Sequence, residues 1–277
     1  MRAAIREMTA ARWVLWVVLL VGGLIVIFPI YWMLATAVSP GGLAESGHFY
    51  IWPHTVDWGN FRAAWDSQPV ASWFANSAII AIGGVILTTV MSLMAGYAFA
   101  KFRFRGRTVL FFAYLITVMI PLQVVMVPEF VIVTKLHLAD SYLGVILPGA
   151  ANAVSVFMAR QFMLAIPNEL IEAARVDGAR DFGVFLRVVL PQCGPLISVL
   201  VILNFVGRWN DFLWPLIVLE SPNRFTLPIG LNSLNTTFST PWDLIMAITL
   251  LSILPVVAVF AVFQRRFVQG IATTGLK

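Results

Sequence analysis

Eight polar side chains interrupt long apolar stretches of this sequence, where a polar group needs a partner or a ligand. The densest group is Arg208, Asn210 and Asp211, near the end of one such stretch. Arg208 and Asp211 stand three residues apart, so they can pair on one face of a helix. The remaining five, further apart in the sequence, are Asn76, Gln123, Glu129, Asn152 and Asn204.

In a hydrocarbon setting, these eight residues are candidates to line the route of a polar solute, because charges there are costly and mark functional sites. The sequence leaves an alternative open for each kind of side chain. The amides can bond one helix to another. Arg208 can extend its guanidinium to the membrane surface, and Glu129 can lie at the outer interface with nothing to bind.

Patterns for catalysis, nucleotide binding and metal binding are absent. There is no G-x-x-x-x-G-K-[S/T], H-E-x-x-H or G-x-S-x-G. His48, His54 and His137 have no metal-like spacing, and Cys193 is the only cysteine. We therefore expect this chain not to be an enzyme, with no catalytic residue, metal site or bound cofactor. Energy for any work must come from a partner.

The longest charged and polar run is PNELIEAARVDGARDFGVFLRVVLP, residues 167–191. Leu170, Ala173 and Ala174 recur at i, i+3 and i+4, which predicts a short helix with a face of small residues. Gly178 follows as a stop signal, because glycine readily adopts the left-handed conformation that ends helices.

A second short helix is predicted after that glycine. Phe182 and Phe185 begin an apolar periodicity that Pro191 is expected to close, since proline cannot continue a helix without losing a backbone bond. Asn168 is the expected cap of the first helix. Two short helices joined at a glycine elbow would form a docking knob, although an ordinary amphipathic hairpin fits the same pattern.

This run resembles the EAA loop of inner-membrane permease subunits of binding-protein-dependent ABC importers. The resemblance rests on Glu172-Ala173-Ala174, Asp177-Gly178-Ala179 and Leu190-Pro191. It implies that the loop sits in a cleft of an ATPase subunit and couples ATP hydrolysis to movement of the spans. Glu172 would then pair with a cation on the ATPase, the two alanines would allow close approach, and Gly178 would set the elbow.

Other stretches are similar to carbohydrate-type, maltose-permease-like members of that family: FRGR at 104–107, WNDFLWPL at 209–216 and QRRFVQG at 264–270. The resemblance implies a dimer of ABC ATPases that carries ATP and Mg. It also implies a second, different permease subunit and an extracytoplasmic solute-binding protein. The implied substrate is a sugar, an oligosaccharide or a sugar-like polyol phosphate such as glycerol-3-phosphate.

The composition supports a membrane location for the elements that position these residues. Hydrophobic residues make up 60% and charged residues 11% of the 277 residues, against about 25% charged in soluble domains. We expect no nucleic-acid partner. The fold class is an all-α bundle of about six transmembrane helices in one domain, with a cytoplasmic two-helix coupling loop at 163–193. Apolar runs predict spans near 13–37, 73–100, 109–133, 142–162, 194–219 and 243–264.

Charge predicts the orientation of these spans. With six spans, 14 of the 18 Lys and Arg residues fall on the side of both termini and the EAA-like loop, with only five of the 13 acids. Basic residues mark the cytoplasmic side. The expected location is therefore a bacterial or archaeal cytoplasmic membrane, with both termini cytoplasmic.

Together these observations favour the permease subunit of an ATP-driven importer that works by alternating access. One alternative is a secondary transporter driven by an ion gradient, for which Glu129 and Asp211 are the candidate coupling acids. The other is a membrane scaffold without a pathway. Neither alternative explains the EAA-like loop.

Overall fold

The structure is a computed structural model that describes residues 2–43, 51–235 and 240–274, with the backbone alone described for 2–11 and 265–274. His48 and Lys277 therefore lie outside the described residues. The orienting charges at both ends, Arg2, Arg6, Glu7, Arg265 and Arg266, lie where only the backbone is described.

The predicted all-α membrane fold is confirmed. The described residues form helices and no strand. Within the described residues, four helices are long and apolar enough to cross a membrane: Arg12–Ala37, Val70–Lys101, Asp181–Trp209 and Trp242–Gln264. Two bent pairs bring the number to six if each pair is one span: Arg107–Met119 with Leu122–Lys135, and Tyr142–Ala150 with Ala153–Leu164.

The α-helices are α1 Arg2–Ala37, α2 Gly59–Ser67, α3 Val70–Lys101, α4 Arg107–Ile116, α5 Leu122–Lys135, α6 Tyr142–Ile146, α7 Ala153–Leu164, α8 Asn168–Val176, α9 Asp181–Val184, α10 Gly194–Trp209, α11 Leu213–Val218, α12 Leu227–Ser233 and α13 Trp242–Thr274. The chain folds into two compact units, the first made of residues 1–70 with 231–253 and the second of residues 71–230 with 254–277. The EAA-like loop and all eight predicted pathway residues belong to the second unit.

The first unit is held together near the end of α1. The Asn60 side chain donates to the Ala37 carbonyl oxygen at 3.0 Å in a buried contact, and the Gly41 N–H donates to Asp243 Oδ2 at 3.1 Å. By contrast, the most apolar 18-residue segment of Arg12–Ala37 has no residue buried against the rest of the chain. This exposed apolar segment needs hydrocarbon or another subunit around it.

The third predicted span is broken by a bend of 104° between its two helices. The bend falls at Pro121, which has no N–H to donate, and Ile120 takes the extended conformation that a following proline favours (ψ 118°). Pro128 lies inside α5 without ending it. The bend places α5 where Glu129 can contribute to a cavity described below.

The expectation that Pro191 closes a second loop helix is wrong. The chain runs helically from Asp181 to Trp209, through one π turn (Phe185–Val189) and one 3₁₀ turn (Leu190–Cys193). In the π turn the Leu190 N–H donates to the Phe185 carbonyl oxygen. This wider turn leaves room for a proline ring that an α-turn would crowd. The second arm of the loop therefore continues directly into the next span.

Helices α3 and α7 cross closely. A Cβ added at Gly96 would lie 2.5 Å from the Ala159 Cβ and 2.9 Å from its backbone, so only glycine permits this approach. Beside the crossing, Arg160 Nε donates to the Phe99 carbonyl oxygen at 3.3 Å, and its guanidinium lies 4.3 Å from the centre of the Phe111 ring. The close packing of α3 against α7 therefore holds in place the polar residues that α3 carries.

A polar clasp centred on Asp140 joins the segment before α6 to the segment after α11. Its carboxylate accepts hydrogen bonds from the N–H groups of Glu220 and Ser221 (both 3.1 Å), the Ser221 hydroxyl, and Arg224 Nη1 (3.3 Å). Burial alone would raise the Asp140 pKa, but the bonds from Ser221 and Glu220 and the Arg224 charge hold that pKa below its ordinary value. Ser141 caps α6, and its hydroxyl oxygen accepts from the Gly144 N–H at 3.1 Å.

We expect Asp140→Asn to lower the free energy of unfolding by about 1–3 kcal/mol at neutral pH, because charge-assisted bonds from four donor groups are weakened. Asparagine tolerates the left-handed backbone of this residue (φ 49°), so strain adds little. Since the folded pKa is depressed, the carboxylate stabilises above its unfolded pKa, and this contribution is lost as pH falls through the folded value. Thermal unfolding in detergent should therefore give a lower melting temperature for Asp140→Asn than for the unmodified chain at neutral pH. The two melting temperatures should converge in acid.

Candidate functional site

A cavity of about 290 Å³ in the second unit gathers five of the eight predicted pathway residues. Its polar walls come from α5, the segment before α7, α10 and the residues just after α10. Its apolar walls include Leu203 and Trp214. The gathered residues are Glu129, Asn152, Asn204, Arg208 and Asp211.

Arg208 is held by α3 and by the segment before α7. Its Nη2 donates to Thr88 Oγ1 at 2.9 Å, and the Thr88 hydroxyl donates to the Gly149 carbonyl oxygen at 3.3 Å. A Cβ at Gly84 would lie 2.5 Å from the Arg208 side chain, and one at Gly149 would lie 3.1 Å from its Nη2. The two glycines therefore make the space in which this cation lies.

The predicted ion pair between Arg208 and Asp211 is not among the ion pairs of the described residues, which lie elsewhere. Helix α10 ends at Trp209, so Asp211 follows the helix instead of sharing its face. Both side chains line the cavity separately. They remain available to a ligand instead of neutralising each other in direct contact.

A single added methyl group on α3 should disable this arrangement. We expect Gly84→Ala to displace the Arg208 side chain and to reduce uptake of the transported solute about tenfold, the effect of losing one charge-assisted hydrogen bond. Because the displaced atoms belong to a flexible side chain and alanine favours helices, thermal stability should be unchanged or slightly higher.

The matched comparison for this change is Gly96→Ala on the same helix, where the added methyl meets the Ala159 Cβ and backbone. We expect that variant to lose thermal stability as well as uptake. If Gly84→Ala transports normally, the position of Arg208 seen in the structure does not matter for function.

The two cavity amides each leave one polar group unused by the described part of the chain. Asn152 caps α7, and its Oδ1 accepts from the Ser155 N–H at 2.8 Å. Asn204 Nδ2 donates to Ser155 Oγ at 3.2 Å and to the Leu200 carbonyl oxygen at 2.8 Å. The Asn152 Nδ2 donor and the Asn204 Oδ1 acceptor have no partner there. Half-buried Glu129 also makes no hydrogen bond or ion pair within the described residues.

The other three predicted pathway residues lie outside this cavity. Asn76 is buried and fully engaged, donating to the Asn223 and Phe225 carbonyl oxygens at 2.9 Å and accepting from the Tyr142 hydroxyl at 2.7 Å. Gln123 is exposed. Asn210, also exposed, donates to the Val206 carbonyl oxygen at 2.9 Å at the end of α10.

Helix α8 of the EAA-like loop presents its motif outward. Glu172 and Ala173 are exposed, whereas Ile171 is buried and Ala174 packs against the core. The predicted face of small residues is therefore split, with Leu170 and Ala173 outside and Ala174 inside. A short side chain on the outer face allows another surface to approach the helix backbone.

The elbow has the predicted glycine geometry. Gly178 has φ 83°, the Ala179 N–H donates to the Ala174 carbonyl oxygen, and the Gly178 N–H donates to the Arg175 carbonyl oxygen, both at 3.0 Å. These two bonds form a Schellman motif. An ion pair between Arg175 Nη2 and Asp181 Oδ1, at 2.8 Å, spans the elbow. The exposed residue Asp177 is the C-cap of α8.

Lys101, the last residue of α3, joins this helix to the loop. Its Nζ donates to the Ile166 carbonyl oxygen at 2.6 Å and to Asn168 Oδ1 at 2.9 Å. Asn168 therefore does not cap α8 as expected, because its side chain is used by Lys101, and Pro167 takes the cap position. Lys101 and Arg175 also line a cleft of about 730 Å³ that contains Glu172.

Sequence reasoning missed the residues that hold the others in place, namely Gly84, Thr88, Gly149, Ser155 and Lys101. Their partners are far away along the chain: Thr88 and Arg208 are 120 residues apart. The weak signal that could have found them is glycine within an apolar helix, which often marks a close approach.

Comparison with known proteins gives a consistent result. The family profile described as binding-protein-dependent transport system inner membrane component matches residues 89–273. The arabinooligosaccharides transport system permease protein AraQ of Bacillus subtilis (strain 168) is 38% identical over 257 residues, covering 92% of each chain. The sn-glycerol-3-phosphate transport system permease protein UgpE of Pectobacterium atrosepticum is 33% identical over 263 residues, covering 92% of this chain and 94% of that protein.

A solved structure has the same fold. It is a crystal structure of a bacterial ABC transporter involved in the import of the acidic polysaccharide alginate. One of its chains superposes with a TM-score of 0.83 at 25% identity, covering 95% of this chain and 98% of that chain.

Proposed function

The chain belongs to the family of binding-protein-dependent transport system inner membrane components, and from that premise we propose that it forms part of an ATP-driven import pathway for a sugar, an oligosaccharide or a sugar-like polyol phosphate. The substrate class follows the relatives, which are permeases for arabinooligosaccharides and for sn-glycerol-3-phosphate. As a permease subunit, the chain relies on partner ATPases to bind and hydrolyse ATP with Mg.

The observation that carries this proposal is the cavity that gathers Glu129, Asn152, Asn204, Arg208 and Asp211. These residues come from three separate stretches of sequence, and each is polar in an otherwise apolar neighbourhood. Unengaged donors and acceptors in such a place suit a hydroxyl-rich solute, since polar groups without partners are costly there. The cavity is a short section of a route that other subunits complete.

The EAA-like loop couples the partner ATPases to the membrane spans. The exposed Glu172 and Ala173 face a cleft of a partner ATPase, and closure of the ATPases on ATP moves the loop. Because the helical path is continuous from Asp181 to Trp209, movement at the elbow reaches the span that carries Asn204 and Arg208 without an intervening loop. A rigid connection of this kind converts loop movement into alternating access.

The assembly has a dimer of ABC ATPases on the cytoplasmic side, a second and different permease subunit beside this chain, and a solute-binding protein outside. Both termini lie in the cytoplasm of a bacterial or archaeal cell, on the side that carries most of the basic residues. The C-terminal tail and the EAA-like loop therefore face the same ATPases.

Purification of the tagged chain in mild detergent from its own membrane, followed by mass spectrometry, tests this assembly. We expect an ATPase with a P-loop, a second permease and a binding protein to be recovered with it. The reconstituted complex should import a labelled oligosaccharide only with ATP on the ATPase side of the membrane and binding protein on the other side. A chain that purifies alone and transports without ATP would be a secondary transporter instead.

A further inference from the structure

The relatives leave the charge of the substrate open, because arabinooligosaccharides are neutral whereas glycerol-3-phosphate and alginate are anions. We propose that the cavity around Arg208 selects neutral carbohydrate and disfavours anionic solutes such as phosphate esters and uronic acids. This inference rests on the proposed function and names the substrate class of the same site.

The first reason for this preference is the charge of the residues that line the cavity. Among the residues that the structure describes, its lining holds one cation, Arg208, and two carboxylates, Glu129 and Asp211. With all three ionised, the cavity has a net charge of −1. A solute that brings another negative charge is repelled at short range in a poorly screened setting, on the order of tenfold in occupancy.

The second reason is the position of the Arg208 side chain. A site for an anion usually offers the full fork of a guanidinium to the ligand. Here one of the two N–H groups of Nη2 donates to Thr88 Oγ1 at 2.9 Å, and Gly84 and Gly149 lie against the side chain. The remaining N–H groups serve a hydroxyl oxygen, while the nearby Asp211 opposes an approaching anion.

The third reason is the set of hydrogen-bond donors and acceptors that the cavity residues offer to a ligand. Asn152 offers an amide donor, Asn204 offers an amide acceptor, and the two carboxylates offer acceptors. A sugar hydroxyl both donates and accepts, so it satisfies either kind of group. A phosphate or carboxylate only accepts, so it would leave Glu129 and the Asn204 oxygen without donors, whereas Asp211 keeps its bond from the Trp214 N–H.

The charge of the cavity can be measured without knowing the substrate. Cys193, the only cysteine of this chain, is buried, so in the purified complex Leu203→Cys gives this chain one reactive thiol, on the cavity wall, and modification is followed on this chain. Its rate of modification is measured with a cationic trimethylammonium-ethyl methanethiosulfonate and with an anionic sulfonatoethyl one. Each rate is divided by the rate of the same reagent with 2-mercaptoethanol.

We expect the corrected ratio of cationic to anionic rates to be on the order of tenfold. Glu129→Gln and Asp211→Asn should each lower that ratio several-fold, and Arg208→Gln should raise it. The matched control is Glu220→Gln, an exposed carboxylate outside the cavity, which should leave the ratio unchanged. A ratio at or below one, no response to the cavity carboxylates, or no reaction with either reagent would overturn the proposal.

Uptake by vesicles that hold the complete importer and ATP links this charge to selection. The probes are arabinotriose and the aldonic acid made by oxidising its reducing end, which adds one carboxylate. Comparing variants with the unmodified chain cancels the preference of the binding protein. The acid-to-neutral ratio should rise about tenfold in Asp211→Asn, and an unchanged ratio contradicts selection by the cavity. Loss of ATP-driven uptake of both probes in the unmodified importer counts instead against the proposed function, while the thiol rates still decide the charge.

Discussion

Uptake by the assembled importer is expected to fall about a hundredfold when Gly178 is replaced by proline. The elbow needs φ 83°, whereas a proline ring fixes φ near −65°. A proline also removes the Gly178 N–H, which donates to the Arg175 carbonyl oxygen at 3.0 Å. Together these changes disfavour this elbow by about 3 kcal/mol, which lowers its population about a hundredfold.

The measurement is ATP-driven uptake in vesicles, with recovery of the ATPase on the tagged chain as a second readout. Insertion of the spans should be normal, because the elbow lies outside them. Gly183→Ala is the matched control, since this glycine in α9 has ordinary backbone angles and a Cβ there would meet nothing within 4 Å. Glu172→Ala tests the contact itself, because Glu172 is exposed and its removal leaves the fold intact. Full transport by both Gly178→Pro and Glu172→Ala would exclude a coupling role for the loop.

The second large effect is expected at Arg208. Arg208→Ala should reduce uptake by at least about tenfold, because it removes the one cation that the described residues place in the lining of the cavity, together with its bond to Thr88. Assembly with the partner subunits should be unaffected, since the side chain lies in the cavity. Thermal stability should be equal or higher, because a half-buried cation without an ion pair is costly to desolvate.

Arg208→Lys separates charge from shape. Lysine keeps the positive charge but lacks the planar fork, so we expect intermediate uptake. Unchanged uptake and assembly in Arg208→Ala would instead support the alternative in which this side chain only extends toward the membrane surface.

The sequence predicted those features that depend on neighbouring residues. Apolar runs located the membrane helices, and Gly178 was recognisable as an elbow, because hydropathy and positive φ are local properties. The bend at Pro121 also follows from a local rule. Five of the eight polar residues singled out in the sequence line the cavity, since polar groups in apolar helices are conspicuous, but the sequence did not separate them from the other three.

Most of the predictions that failed depend on distant partners, and the one at Pro191 depends on the turn directly before it. Asn168 looks like a cap by itself, but Lys101, 67 residues earlier, occupies its side chain. Arg208 and Asp211 look like an ion pair only if α10 continues past Trp209, and Thr88 lies 120 residues from Arg208. Pro191 was expected to end a helix, yet a π turn before it accommodates the ring. Such contacts follow from tertiary packing, which spacing along a single chain does not encode.

The contacts at the two ends of one stretch of α3 have a consequence for recombination between relatives. Thr88 and Lys101 are thirteen residues apart, roughly 20 Å along the helix. Thr88 binds Arg208 of the cavity, and Lys101 binds Ile166 and Asn168 at the start of the loop. A chimaera that exchanges only residues 163–193 would pair Lys101 of one parent with loop acceptors of another. Crossover points that keep 84–101 with 163–208 preserve both sets of bonds, so this larger block is the natural unit of exchange.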